Sequence, residues 1–447
     1  MNITKVIVLD DDPTGSQTVH SCLLLTQWDV ATLREAIMDS APLFFILTNT
    51  RGLDPVNAAR VTREVCRNIR TLMDAMEQVG IVINPIFVSR SDSTLRGHYP
   101  LETDVMSQML GPFDAHFLVP AFFEGGRITR DGTHLLSVGD GWIPVHETEF
   151  AQDATFSYHH SFLPDYVAEK TQGRIRAEQV QRLTLDDIHG EGLAERLSAL
   201  SGNVCCVVDA ERQTDLHQFC DAVRVSLRRG KRFLFRSAAS LITSLVRLPP
   251  QPISAADMGR WVPDGAPGVV IVGSHVAKTT AQLQRLLQQP GVQGIELDVL
   301  QGPRDGSLLM KAQSHIAAAH RNGLTAVVYT SRTERRFATV EERIEFGAYV
   351  SGLLMEIERT LPTTIGFLIA KGGITSNDSL SIGLGLRKAR LLGQILPGVS
   401  VVRCPSDHPR YPDLPVVIFP GNVGDEYALA TVYQRLSAYP TASVAAC

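Results

Sequence analysis

The stretch Val6–His20, VIVLDDDPTGSQTVH, runs from four apolar residues straight into Asp10, Asp11 and Asp12, then Pro13, Thr14 and Gly15. A short continuous apolar run that stops at a polar, turn-forming sequence reads as a buried strand ending at a loop. Three adjacent carboxylates at such an end repel one another, so they point to a loop that has other work to do.

The same pattern recurs outward from it. Apolar runs begin at Leu43 (LFFILTN), Asn84 (NPIFVSR), Ala115 (AHFLVP), Asn203 (NVCCVVDA) and Arg232 (RFLFRS). Between the runs at Leu43 and Asn84 lies PVNAARVTREVCRNIRTLMDAMEQVG, apolar at three-to-four spacing, with Pro55 at its start and Gly80 at its stop. That is an amphipathic helix. Apolar runs alternating with helices predict a parallel sheet covered on both faces. RLPPQPISAADMGRWVPDGAPG, from Arg247 to Gly268, breaks the pattern and reads as the connection between domains. The alternation restarts at Gly268 (GVVIVGS), Thr325 (TAVVYTS), Gly366 (GFLIAKGG) and Pro415 (PVVIFPGN), with helices expected near Thr279–Gln289 and Val340–Leu361. The expected fold is α/β: two Rossmann-like three-layer domains with mainly parallel sheets and a cleft between them. The boundaries are 1–246, a connection over 247–267, and 268–447.

Ligands of open α/β sheets bind beyond the carboxyl ends of the strands. In the first half those ends carry Asp10-Asp11-Asp12, Thr48-Asn49-Thr50-Arg51, then Arg90, Ser91, Asp92, Ser93 and Arg96, and finally Glu124 and Arg127. Carboxylates and hydroxyls suit sugar hydroxyls, and guanidinium groups suit a carboxylate. Capping and turn preferences account for any one of these residues alone. The set together predicts a small, polyhydroxylated anionic ligand.

The second half has another signature. In VVIVGSHVAKTTAQL, Gly273-Ser274 precede a helix, with Lys278-Thr279 resembling a Walker A ending whose glycine and spacing are wrong. AKGGITSNDSL places Gly372-Gly373 and Thr375 before a helix, and FPGNVGDEYAL supplies Gly421, Asn422 and Gly424. Glycines there admit a phosphate to the backbone. GLGLRKA, containing Gly383, lies in a helical pattern and reads as packing. A sugar-acid site in one domain and a phosphate cradle in the other is the logic of a two-domain kinase whose domains close to exclude water.

Composition sets limits. The chain has 447 residues, 44% hydrophobic, 20% charged, with net charge −5, which gives no electrostatic case for nucleic acid or an anionic membrane. Seven cysteines without a CxxC pair read as reduced thiols. His159-His160 is an adjacent pair whose side chains are expected to diverge rather than share a metal. With no signal-peptide pattern and no apolar run of spanning length, a cytoplasmic protein is expected. Two other readings stay open. Asp10-x-Asp12-x-Thr14 also resembles the opening of haloacid-dehalogenase-type phosphatases, with Asp10 as nucleophile and Asp12 as acid/base. A non-catalytic sugar-acid sensor would use the same rim.

The motifs together resemble the four-carbon acid sugar kinases. DDDPTGS (Asp10–Ser16) is similar to that family's opening ADDLTGA-like motif, and TNTR (Thr48–Arg51) to its TDSR. RSDSTLRG (Arg90–Gly97) is similar to KIDSTLRG, and PAFFEGGR (Pro120–Arg127) to a PAFPEQGR-like stretch. In the second half Gly273-Ser274, Gly372-Gly373 and PGNVGD at Pro420 match its glycine loops. Pro13, Gln17, Asn49-Thr50 and Arg90 depart from its pattern. The resemblance implies ATP- and Mg2+-dependent phosphorylation of a hydroxyl on a small sugar acid, a tetronate or oxo-tetronate. It implies Asp92 as the group accepting the hydroxyl proton, with Asp12 the second candidate. Substrate would be held by Asp11, Asp12, Gln17, Arg51, Arg90, Ser91, Asp92 and Ser93, with Arg51 and Arg90 on its carboxylate. ATP would meet Ser274, Gly372, Gly373, Thr375 and Gly421. A homodimer is expected on general grounds.

Overall fold

The computed structural model describes residues 1–301, 306–333 and 337–437. The chain divides into two compact units at Pro250/Gln251, inside the Pro/Gly-rich stretch. Most of that stretch belongs to the second unit, where Met258 and Val262 enter the core.

The strands of the first unit are β1 (Asn2–Asp10), β2 (Leu23–Leu25), β3 (Leu43–Leu47), β4 (Val82–Arg90), β5 (Ala115–Val119), β6 (Arg127–Arg130), β7 (Thr133–Val138), β8 (Gly141–Pro144), β9 (Gln181–Leu183), β10 (Val204–Val208) and β11 (Phe233–Ser237). Eight of them form a parallel sheet in the order β2-β3-β1-β4-β11-β5-β10-β9. β3, β4 and β11 are buried throughout their carboxyl halves, because helices and loops cover both faces. Ile7 and Leu9 of β1 pack with Phe44, Ile46 and Phe87 against the helix Pro55–Gln78. Asp54 caps that helix, accepting from the Val56 and Asn57 amides at 2.9 and 3.0 Å, and Pro55 opens it. β6-β7-β8 form a separate antiparallel meander.

The second unit contains β12 (Val269–Val272), β13 (Val292–Leu297), β14 (Thr325–Thr330), β15 (Leu368–Lys371), β16 (Lys388–Leu396), β17 (Val399–Arg403) and β18 (Pro415–Phe419), ordered β13-β14-β12-β15-β18-β17-β16. The first five of that order are parallel, and β17 pairs antiparallel with β18 and with β16. Helices run over Ala277–Leu287 and Val340–Arg359. The segment around Gly383 differs from the helical reading. A π-helical turn ends at Gly383, and the chain then extends into β16. Gly383 does pack closely: a Cβ there would lie 2.1 Å from Glu358 Oε2.

The six described cysteines are free and buried. Among the described residues no helix is long and apolar enough to cross a membrane.

Candidate functional site

In the first unit β3, β1, β4 and β11 lie side by side, so their carboxyl ends bring segments far apart in sequence onto one edge. The backbone ties them: the amides of Thr48 and Asn49 donate to Asp10 O, and those of Arg51 and Ser91 donate to Asp11 O and Ser237 O.

The three aspartates take three different roles. Asp10 is 0% exposed and faces Arg90, with Nη1 3.6 Å from Oδ1. Burial pushes its carboxyl up to about 8 against the pull of Arg90. A Cβ on Gly15 would lie 2.0 Å from its Oδ1, so only glycine lets the loop close over it. This group is walled in, with no surface open to a substrate, which speaks against the alternative that makes Asp10 a phosphatase nucleophile. Asp11 is 1% exposed. It accepts from Arg51 Nη2 at 2.5 Å and Nε at 3.3 Å, and from Ser91 Oγ at 2.8 Å. Asp12 is 23% exposed, its Oδ2 3.2 Å from Arg51 Nη1. Its Oδ1 accepts from the Thr14 amide at 2.8 Å and from the Thr14 hydroxyl. Burial works to raise Asp12, but Arg51 and Thr14 prevail and hold it below the usual carboxylate range.

Asp92 is 13% exposed. Its Oδ2 accepts from Arg96 Nε at 2.8 Å and from the Thr94 hydroxyl, while Oδ1 has only Arg51 Nη1 nearby, at 3.9 Å. Burial opposes ionisation here as well, and the two guanidinium groups overcome it, holding Asp92 far below the usual range. One guanidinium, that of Arg51, therefore sits among three carboxylates, and ionisation of each supports its charge.

The structure thus brings Asp11, Asp12, Arg51, Ser91 and Asp92 together. Arg90 lies behind them on Asp10 and away from the rim. Gln17 and Ser93 are buried beside this edge. Asp92 stands on a braced loop. The carbonyls of Ser93, Thr94 and Leu95 each accept from a side chain: His134 Nε2 at 2.7 Å, Tyr158 OH at 2.7 Å and Tyr166 OH at 2.8 Å. Since a carbonyl only accepts, His134 Nε2 carries the proton, and Nδ1 accepts from Thr129 Oγ1 at 3.0 Å. Burial lowers His134 to about 4, so it stays neutral.

Sequence reasoning did not find Arg236. It ends β11, donates to Ser91 Oγ at 2.6 Å, and forms a buried ion pair with Glu102 at 2.5 Å. RFLFRS carried the same strand-end signal as the other four runs.

In the second unit Ser274, Gly372, Gly373 and Thr375 line one cavity of about 460 Å³. The lining is polar at these residues with Thr330 and Ser331, and apolar at Val299, Phe346, Val350 and Leu354. Gly372 has φ +121°, and a Cβ on Gly273 would lie 2.3 Å from Thr375 Oγ1, so both positions depend on glycine. Gly421 lies beside Ser274 without lining the cavity. Its carbonyl accepts from Thr279 Oγ1 at 3.2 Å. Arg332 donates through Nη2 to Ser274 O at 2.6 Å, and its Nη1 is buried with no partner. Lys371 is fully buried, with Nζ donating to Pro420 O at 2.5 Å and lying 3.9 Å from the Phe419 ring centre. Burial, reinforced by Lys278, lowers it to about 7.

Comparison with known proteins agrees with this division of labour. A family model described as a sugar-binding N-terminal domain matches residues 6–245, and one described as a nucleotide-binding C-terminal domain matches residues 269–429. The chain is 26% identical to a D-erythronate kinase of Heliobacterium modesticaldum over 63% of its own length and 60% of that protein's. It is 29% identical to a 3-oxo-tetronate kinase of Cupriavidus necator over 70% of each, and 26% identical to a D-threonate kinase of Bordetella bronchiseptica over 64% and 62%. The chain therefore aligns with 60% to 70% of the lengths of these curated relatives. Solved structures from Salmonella typhimurium LT2 and Haemophilus influenzae share the fold, at TM-scores of 0.68 and 0.64 and 17% identity. They cover 97% and 96% of this chain, and 98% and 100% of their own. With both domain models matched in order along its length, the chain belongs to the four-carbon acid sugar kinase family.

Proposed function

We propose that the protein is an ATP-dependent kinase that phosphorylates a hydroxyl of a four-carbon sugar acid, a tetronate or an oxo-tetronate. The observation that carries this reading is Asp92. It is a braced, ionised carboxylate whose Oδ1 has no hydrogen-bond donor, set among hydroxyls and guanidinium groups. Kinase chemistry asks for one carboxylate at the attacking hydroxyl, and positioning and charge stabilisation supply most of the remainder.

In this mechanism the substrate hydroxyl donates to Asp92 Oδ1, which orients the oxygen; as its bond to the γ-phosphorus forms, the bond to the ADP oxygen breaks, and Asp92 then takes the hydroxyl proton. A carboxylate held this far below its usual range is a weak base, so proton transfer follows bond formation. Asp12, the more exposed of the opening aspartates, holds a second hydroxyl. Arg51 holds Asp11, Asp12 and Asp92 in place and favours the ionised form of Asp12 and Asp92. The second unit suits a nucleotide. The apolar side chains that line its cavity suit a base. Ser274, Gly372, Gly373 and Thr375, with the unpartnered Arg332 Nη1 near Ser274, suit phosphates. Among the described residues no three acidic, histidine or cysteine side chains form a metal site. Mg2+ carried on the phosphates needs few protein ligands and would offset their charge.

The test is phosphorus NMR of the protein with Mg-ATP and tetronic, oxo-tetronic and pentonic acids, each separately, against an acid-free control. Acid-dependent ADP together with a new phosphate-ester signal is expected. Asp92→Asn is expected to keep acid affinity within a few-fold while turnover falls about 10³-fold. Intact ATP with every acid would overturn the kinase reading, and near-wild-type turnover of Asp92→Asn would overturn the role given to Asp92.

A further inference from the structure

Five arginines stand at or behind the carboxyl edge of the first sheet, and four are already paired with acids. Arg51 uses Nε, Nη1 and Nη2 on Asp11 and Asp12, with Asp92 nearby. Arg90 faces Asp10. Arg96 bonds Asp92, lies 3.7 Å from Asp153, and stacks over the Phe150 ring at 5.0 Å. Arg236 bonds Glu102, Ser89 and Ser91.

Arg127 is different. It opens β6, just after the loop that leaves β5. Among the described residues it has no carboxylate partner. Its Nη1 donates to Gly125 O, and its Nε, like that of Arg90, is buried with no acceptor. The loop makes room for this side chain, since a Cβ on Gly125 would lie 2.2 Å from Arg127 Nη1. The strand it opens packs against the loop of Asp92: Thr129, two residues on, bonds His134, which donates to Ser93 O at 2.7 Å.

We infer that Arg127 receives the carboxylate of the sugar acid and so sets the preference for an acid over a neutral polyol. The inference rests on the sugar-acid kinase reading and reassigns a role that sequence alone gave to Arg51 and Arg90. Charge balance supports it. Around Asp92 the carboxylates of Asp11, Asp12 and Asp92 outnumber the guanidinium groups of Arg51 and Arg96 that pair with them. An anionic substrate entering there needs another cation, and a guanidinium with an unused donor meets a carboxylate with little rearrangement.

The test compares wild type, Arg127→Gln and Arg127→Lys, using tetronates as ligands and the matching four-carbon polyol as the neutral control. Binding is measured by ligand-observed NMR without nucleotide, and KM and kcat with Mg-ATP. Arg127→Gln is expected to weaken tetronate about 10²-fold while polyol binding stays within about 3-fold. Arg127→Lys should recover part of the loss through its point charge. Equal weakening of tetronate and polyol, or tetronate affinity within about 3-fold of wild type, overturns the inference. So does failure of the wild type to bind any tetronate. Tetronate binding that depends on Arg127 without phosphoryl transfer would instead sustain the inference while the kinase reading fails.

Discussion

Arg51→Met removes the one cation shared by three carboxylates and keeps most of the side chain's apolar stem. The lost contacts are to Asp11 at 2.5 Å, Asp12 at 3.2 Å and Asp92 at 3.9 Å, all at side chains no more than 23% exposed. A pair at 4 Å is worth about 4 kcal/mol at an effective dielectric of about 20, and desolvation of the guanidinium offsets part of the sum. Leaving the acids without their cation is therefore expected to cost about 3–5 kcal/mol at pH 7. In a unit of this size that is a fall in melting temperature of about 10 °C. The loss should depend on pH with a definite sign. Asp12 and Asp92 are held below their ordinary range, so their contribution is complete above that range and is lost as pH falls through their depressed values. In the variant Asp92 keeps only Arg96 and Thr94, and Asp12 loses its nearest cation, so both are held down less and protonate sooner. The gap between wild type and Arg51→Met should be widest near pH 7 and narrow below about pH 4. Thermal and urea unfolding of the full chain from pH 3.5 to 7.5 measure it. A gap under about 1 kcal/mol at pH 7, or one that does not change with pH, would refute the reasoning that Arg51 acts by holding these carboxylates ionised.

Two further perturbations probe the second unit. Glu358 is fully buried, burial pushes it up to about 8, and Ser379 donates to its Oε1 at 2.5 Å while Oε2 has no partner. A raised acid costs stability as pH climbs from its unfolded value toward its folded one. Glu358→Gln is therefore expected to be close to neutral at pH 5 and to stabilise by about 2 kcal/mol at pH 8, read from melting curves at both pH values. Equal effects at the two would count against a buried neutral acid. Lys371 is expected to ionise more fully when nucleotide phosphates arrive, so ADP affinity should fall as pH rises from 6 to 9. Lys371→Met should flatten that profile in calorimetric titrations, and an unchanged profile would exclude Lys371 as its source.

Much of the architecture was legible in the chain. The apolar runs at Val6, Leu43, Asn84, Ala115 and Arg232 became neighbouring parallel strands, because a strand buried on both faces must be apolar throughout. Pro55 and Gly80 marked the two ends of the helix Pro55–Gln78 through their own backbone limits. The short strands β2 and β9, the meander β6-β7-β8, and the antiparallel pair β16 and β17 carried no such signal. Short or half-buried strands depend on what packs against them. The helical reading near Gly383 failed for that reason.

The site divides along the same line. By itself the sequence determined which residue types gather at the strand ends. Asp10 to Asp12, Arg51, Asp92 and the paired glycines each follow an apolar run directly, and the end of a strand is a local event. Only the tertiary structure decided which of those charges remain available. β11 inserts between β4 and β5 and brings Arg236 into the middle of the edge. Arg51 reaches Asp11 and Asp92 across adjacent strands, Asp10 closes onto Arg90, and Arg127 is left without an acid. Ion pairing and burial depend on distances of a few ångströms between residues 40 or more positions apart, such as Asp11 and Arg51. Those distances are set when the strands find their order in the sheet.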